Sequence, residues 1–195
     1  MADFIKRPEI WVWIVVAVIY ILSKYGFGLD YLSIDDIVKN HINCFRNSNT
    51  NKIMIVPVIN YCAVPFLLGV SAAMIKSIDS SIVNIITIIV SILTSMLFTL
   101  LAMIIDMKSK INDNPKYFRT EAELSKKSLV ETYYTVMFEI LISIILLVLC
   151  LFNVFTNKFG FIQSFLIYSL TFLLIINLLM IIKRIFRVIN TDMSK

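Results

Sequence analysis

Apolar and polar positions in this chain do not interleave at helical or strand spacing. They separate into long blocks. Residues 53–75, 82–105, 134–155 and 161–182 form four such blocks, and Glu139 is the one charged residue inside them. Each is long enough to cross about 30 Å of hydrocarbon at about 1.5 Å per residue. Lipid cannot satisfy backbone groups, so a crossing segment is a helix or part of a closed barrel, and these runs lack the alternation of a barrel. The predicted fold class is an all-α membrane protein. Short links, Lys76-Ser77-Ile78-Asp79-Ser80 and Thr156-Asn157-Lys158-Phe159-Gly160, predict two antiparallel transmembrane helical hairpins as neighbours. A polar segment, 106–132, joins them.

Three further elements follow from the pattern. Residues 10–29 are apolar but interrupted by Lys24, Gly26 and Gly28. With no small-residue cleavage pattern behind it, this segment reads as retained, as a fifth span in preference to an interfacial or re-entrant stretch. Residues 33–46 carry Ile34, Ile37, Val38, Ile42 and Phe45 at helical spacing behind Ser33-Ile34-Asp35-Asp36, which has capping-box spacing. This predicts a short amphipathic helix on the membrane surface or against the bundle. A second capping box, Thr120-Glu121-Ala122-Glu123, is followed by no helix breaker before Gly160. The third block is therefore expected to begin near Thr120 and to project about 20 Å beyond the bilayer. The last block is expected to continue to about Asn190.

Composition agrees with the pattern, at 59% hydrophobic and 16% charged residues with only four glycines and four prolines. Charge then sets the expected topology. Placing 106–132 in the cytoplasm puts fourteen of the 18 basic residues on that side, leaving Lys76 and Lys158 outside and Lys6 and Arg7 dependent on the first span. A multi-pass protein of a bacterial inner membrane with a cytoplasmic C-terminus is the expectation. Lys108, Lys110, Lys116, Arg119, Lys126 and Lys127 are nearly balanced by Asp106, Asp113, Glu121, Glu123 and Glu131, so no direct nucleic-acid contact is expected. Anionic headgroups account for Lys183, Arg184 and Arg187.

Little here suits catalysis. Nucleophile–base pairs, phosphate-binding glycine loops and metal motifs are missing from the sequence. The three cysteines are scattered, and the single histidine, His41, has no ligand-spaced neighbours, so no cofactor is expected. Glu139 is expected to reach the headgroups or bond a neighbouring Ser or Thr, with proton relay or ion contact as the sharper alternative. Pro57 and Pro65 flank Asn60-Tyr61. They suggest either a broken helix with a polar site at Asn60 or a simple packing kink. Asn84, Thr87, Ser91, Thr94, Ser95 and Thr99 share one helix face, and Gly69 and Ala73 give the preceding helix a small-residue face. Such faces pack helices together, within one chain or between copies, or line a narrow pore.

The whole-chain plan is a hairpin over 53–105, a polar segment over 106–132, a second hairpin over 134–182 and a basic tail. In this layout it is similar to the membrane subunit of the Kiwa anti-phage defence system. The resemblance implies a homo-oligomeric inner-membrane platform that senses envelope disturbance and recruits a soluble cytoplasmic partner. Residues projecting from the bilayer would dock that partner: Lys116, Arg119, Glu123, Lys126, Lys127, Arg184 and Arg187. A non-enzymatic sensor or scaffold is the leading expectation. A holin-like pore and a small ion channel or transporter using Asn60 and Glu139 are the alternatives.

Overall fold

The computed structural model describes residues 34–46, 52–112, 120–154 and 160–193, together with Val15, Val18, Ile19 and Leu22. Two compact units are distinguished, Met1–Asp36 and Ile37–Lys195. In the first, the four isolated residues are helical and exposed. The expected span at 10–29 otherwise lies outside the described residues, as do Ser33, Lys116 and Arg119.

The described secondary structure consists of five α-helices: α1 (Asp35–Asn43), α2 (Ile55–Ile75), α3 (Ser80–Asn112), α4 (Thr120–Val154) and α5 (Phe161–Met193). No strand occurs among the described residues; Arg46 and Ile53 form one isolated antiparallel bridge. Helices α2 to α5 each contain a stretch long and apolar enough to cross a membrane. Their outer surfaces are strongly apolar, as at Ile75 (83% exposed) and Met74 (74%). Water would not tolerate this surface, and lipid does. The chain is a multi-pass membrane protein.

Local chemistry explains the helix ends. Asp79 Oδ1 accepts the Ile82 N–H at 2.8 Å, which caps α3. At the other junction Gly160 N donates to Gln163 Oε1, which closes the first turn of α5. Helix α4 runs without interruption from Thr120, so the third block and its polar extension are one rod of 35 residues, about 52 Å long. Helix α2 is continuous through both prolines. Pro57 lies in its first turn, where an N–H has no partner inside the helix anyway, so only Pro65 removes an internal bond.

The helices pack in the spatial order α2, α5, α4, α3. The second hairpin, α4 with α5, is in close contact. The consecutive pair α2 and α3 is not a principal contact, and α2 lies against α5 instead. The link between α2 and α3 crosses the start of α5: Ile78 is buried and its N–H donates to Ser164 Oγ at 3.0 Å. A few extended residues reach about 3.3 Å each, enough to step across a helix roughly 10 Å wide. A short link therefore fixes direction without fixing contact. Two apolar layers fill the α3–α4–α5 interior, one around Val90, Leu146 and Ile167 and one around Leu97, Val136 and Ile181. At the α2–α5 contact Gly69 is buried, and a Cβ there would stand 2.0 Å from Ser169 Oγ. Backbone approach this close needs glycine.

Candidate functional site: a buried polar cluster beneath α1

Helix α4 carries its polar residues inward. Ser128, Thr132, Thr135, Glu139 and Ser143 are all buried, Thr135, Glu139 and Ser143 completely. Their spacing of four, three, four and four residues keeps them on one stripe. Thr132, Thr135 and Ser143 turn their hydroxyls onto carbonyls of their own helix, at 2.7 to 2.9 Å. Glu139 cannot do so.

Opposite this stripe α5 presents Asn177 and α2 presents Tyr61, while α1 lowers His41 from above. The Tyr61 hydroxyl donates to Asn177 Oδ1 at 2.5 Å, and His41 Nε2 stands 3.2 Å from the same hydroxyl. A tyrosine has one O–H, so with that proton on Asn177 the imidazole is the donor and its Nδ1 is bare. The His41 ring stacks on Phe138 of α4 with centroids 4.0 Å apart, and Phe45 packs edge-on to it. Burial, with the positive charge of Arg184 adding to it, pushes the His41 pKa down to about 4. This histidine is neutral in its seat at pH 7.

The Asn177 side chain stands near the Glu139 carboxyl. Neither Glu139 oxygen has a hydrogen-bond partner among the described residues, and the same holds for Asn177 Nδ2 and His41 Nδ1. A second polar junction lies nearer the end of the bundle. Arg184 Nη1 donates to the Glu131 carbonyl and to Thr135 Oγ1, both at 2.6 Å. Cys44 Sγ points at the same carbonyl at 3.8 Å, and burial raises its thiol pKa, with Arg184 opposing. The chain re-enters α2 through Met54 N donating to Phe45 O at 3.0 Å, which fixes the end of α1 over the start of α2. Between α1 and α4 a groove of about 420 Å³ is lined by Asn40, Asn43, Cys44, Lys127, Val130, Glu131 and Tyr134.

Several expectations change here. Glu139 neither reaches outward nor bonds a hydroxyl, because its position on the inward stripe points it at α5. Asn60 is exposed, and its neighbour Tyr61 is the residue turned into the cluster. Arg184, expected at a docking face, is half-buried and tied to α4 by two hydrogen bonds. His41 is the centre of a cluster and not an isolated residue. The buried face of α1 is rotated from the predicted one: His41 and Phe45 are buried, whereas Ile34 and Ile42 are each 40% exposed. Gly69 and Ala73 face α5 within the chain. On α3, Thr94 is buried and Thr87 half-buried, while Asn84, Ser91, Ser95 and Thr99 are exposed on the outer surface. Ser91 and Thr99 bond backbone carbonyls one turn back. Lys127 lines the groove; the side chains of Glu123, Lys126 and Arg187 lie outside the described set.

The sequence reading missed Tyr61, Asn177 and His41. Their contacts join positions as far as 116 residues apart, which no local pattern reveals. The inward stripe on α4 was visible as hydroxyl spacing around Glu139. Among the described residues no three His, Cys, Asp or Glu side chains stand close enough to hold a metal ion. Comparison with protein-family models, curated proteins and solved structures gives no match.

Proposed function

We propose that the protein is a non-enzymatic, homo-oligomeric sensor and scaffold of a bacterial inner membrane, with its C-terminus in the cytoplasm. In this reading it belongs to an anti-phage defence complex and recruits a soluble cytoplasmic partner. The layout shared with the Kiwa membrane subunit supports the setting. The observation that carries the reading is the seating of α1. A short helix outside the spans is tied by a hydrogen-bonded chain, His41–Tyr61–Asn177, to the interior of the bundle beside Glu139. A disturbance that shifts α2 or α5 is thereby felt at α1, beside the extensions of α4 and α5. A sensor needs an element that can take two positions, and α1 is the candidate for it.

The test is the thiol of Cys44, which reports whether α1 is seated. Cells expressing the protein are infected, and Cys44 labelling is followed by peptide-resolved mass spectrometry. Labelling faster than in uninfected cells is the expected result; an unchanged rate on infection sinks the sensing role. Removing residues 120–131 is expected to abolish partner recovery while the protein stays in the membrane.

One observation favours the pore reading as the alternative. Asn60 and Asn84 are exposed on the lipid-facing surface, where an amide has no partner. A second copy would cover them, and the α3 stripe would then face a symmetry axis. Ser91→Leu would abolish leakage through such a pore; absence of current in bilayers under any trigger discards it.

A further inference from the structure

Glu139 is completely buried in a helix bundle surrounded by lipid, and neither of its oxygens has a hydrogen-bond partner among the described residues. A carboxylate ion left so is among the costliest groups a membrane protein can hold, so something cationic neutralises it. The groups packed around it narrow the choice. Helix α5 offers Asn177 and, two turns further, Arg184, whose Nη1 is already bonded to the Glu131 carbonyl and to Thr135. Helices α2 and α1 offer Tyr61 and a neutral His41. Helix α3 packs Leu97 and Ile104 against Val136 and Ile140 of α4. On α4 itself Glu131 lies two turns back. Ions such as Ca²⁺ and Mg²⁺ take about six or more oxygens. Here Thr135 Oγ1 both donates to the Glu131 carbonyl and accepts from Arg184, and the Tyr61 oxygen donates to Asn177 and accepts from His41, so few side-chain oxygens among the described residues are left to ligate. A proton needs no such shell.

We infer that Glu139 is a proton-binding site of the bundle, linked through Asn177, Tyr61 and His41 to the seat of α1. The hydrogens of the chain all run one way: His41 Nε2–H to the Tyr61 oxygen, and Tyr61 O–H to Asn177 Oδ1. Asn177 Nδ2 is left over beside Glu139. Gain or loss of a proton at Glu139 changes what this amide bonds to, and so changes the grip of Tyr61 on His41. The link to α1 rests on the sensing role proposed above; proton binding does not, and its test is independent of any partner.

The full chain is reconstituted in vesicles of neutral lipid at neutral pH and studied by infrared difference spectroscopy against Glu139→Gln, an isosteric change whose helix content is checked by circular dichroism. A carboxylic-acid C=O band is expected in the wild type. It should shift in D₂O and be wholly lost in Glu139→Gln. Absence of the band from the wild type, or its persistence in the variant, overturns the site. Saturating sodium or potassium chloride is the second arm. Loss of the band on adding either salt assigns the site to a metal cation and overturns the proton. In Tyr61→Phe the band is expected to remain and move in frequency; an unmoved band overturns the link to α1.

Discussion

The seating of α1 must weaken in acid, because its one buried base has to charge. His41 is 2% exposed, and its pKa stands at about 4 against the usual 6.5, burial being the larger cause and Arg184 the smaller. The seated ring thus binds a proton more weakly than a detached one. Between pH 6.5 and 4 the detached state takes up more protons. The seat is therefore fully stable above pH 6.5 and loses stability as pH falls through that window. At about 1.4 kcal/mol per pH unit, the whole window is worth ~3 kcal/mol. At pH 5 the loss is about 2 kcal/mol, roughly a thirty-fold rise in the detached fraction. The reporter is again Cys44, half-buried in the seated state, with its thiol bonded to Asn40 O of its own helix at 3.2 Å and facing the Glu131 carbonyl of α4 at 3.8 Å. Purified protein in detergent is labelled at pH 7.5 and at pH 5, each time beside His41→Gln, which keeps a donor for Tyr61 but cannot charge. The ratio of wild-type to variant labelling cancels the pH dependence of the thiol reaction itself. That ratio should rise about thirty-fold between the two pH values, from the same arithmetic. A flat ratio would refute the claim that the imidazole is buried neutral under α1.

Three other outcomes follow from contacts away from His41. Gly69→Ala places a Cβ 2.0 Å from Ser169 Oγ and 2.8 Å from the Ser169 backbone. Thermal unfolding in detergent should show a loss of about 1–3 kcal/mol, with only partial rescue by Ser169→Gly because the backbone contact persists. Arg184→Met removes both Nη1 bonds to α4, and should cost about 2–3 kcal/mol; Arg184→Lys should recover less than half, since its ammonium stands one atom short of the Nη1 position. Ser164→Ala leaves the buried Ile78 N–H without its acceptor and should cost about 1–3 kcal/mol, read by faster hydrogen exchange at Ile78.

The sequence displayed the spans because bilayer thickness imposes a length, and length survives in a single chain. The start of α4 at Thr120 was equally legible, since a capping box followed by an unbroken run has one reading. Which face of α1 is buried was not. Apolar residues alone were taken to mark the packed face, which put Ile42 inside and gave His41 no place, whereas the seat beneath α1 is itself polar and takes the histidine. The same assumption misdirected Glu139. Its neighbours on the stripe, Thr135 and Ser143, looked like ordinary spacing because their hydroxyls are satisfied locally, and the partners that make a cluster come from three other helices.

Burial in this protein runs against the rule that organises a water-soluble core. The outward faces of α2 and α3 are as apolar as anything inside, so hydrophobicity gives no preference for one helix contact over another. What distinguishes the contacts is polar and steric detail. Gly69 admits the backbone of α5 at Ser169, Asn177 meets Tyr61 across the same contact, and Arg184 pins α5 to α4 at Glu131 and Thr135. On α3 the exposed hydroxyls at Ser91 and Thr99 are bonded to their own backbone and so are not offered to α2. Helix α2 therefore pairs with α5 although α3 follows it in the chain, and the link between them is stretched across the end of α5 through Ile78 and Ser164. One of the polar contacts that choose this arrangement, Tyr61 with Asn177, also holds His41 of α1, so a change at that contact reaches both the packing of α2 on α5 and the seat of α1.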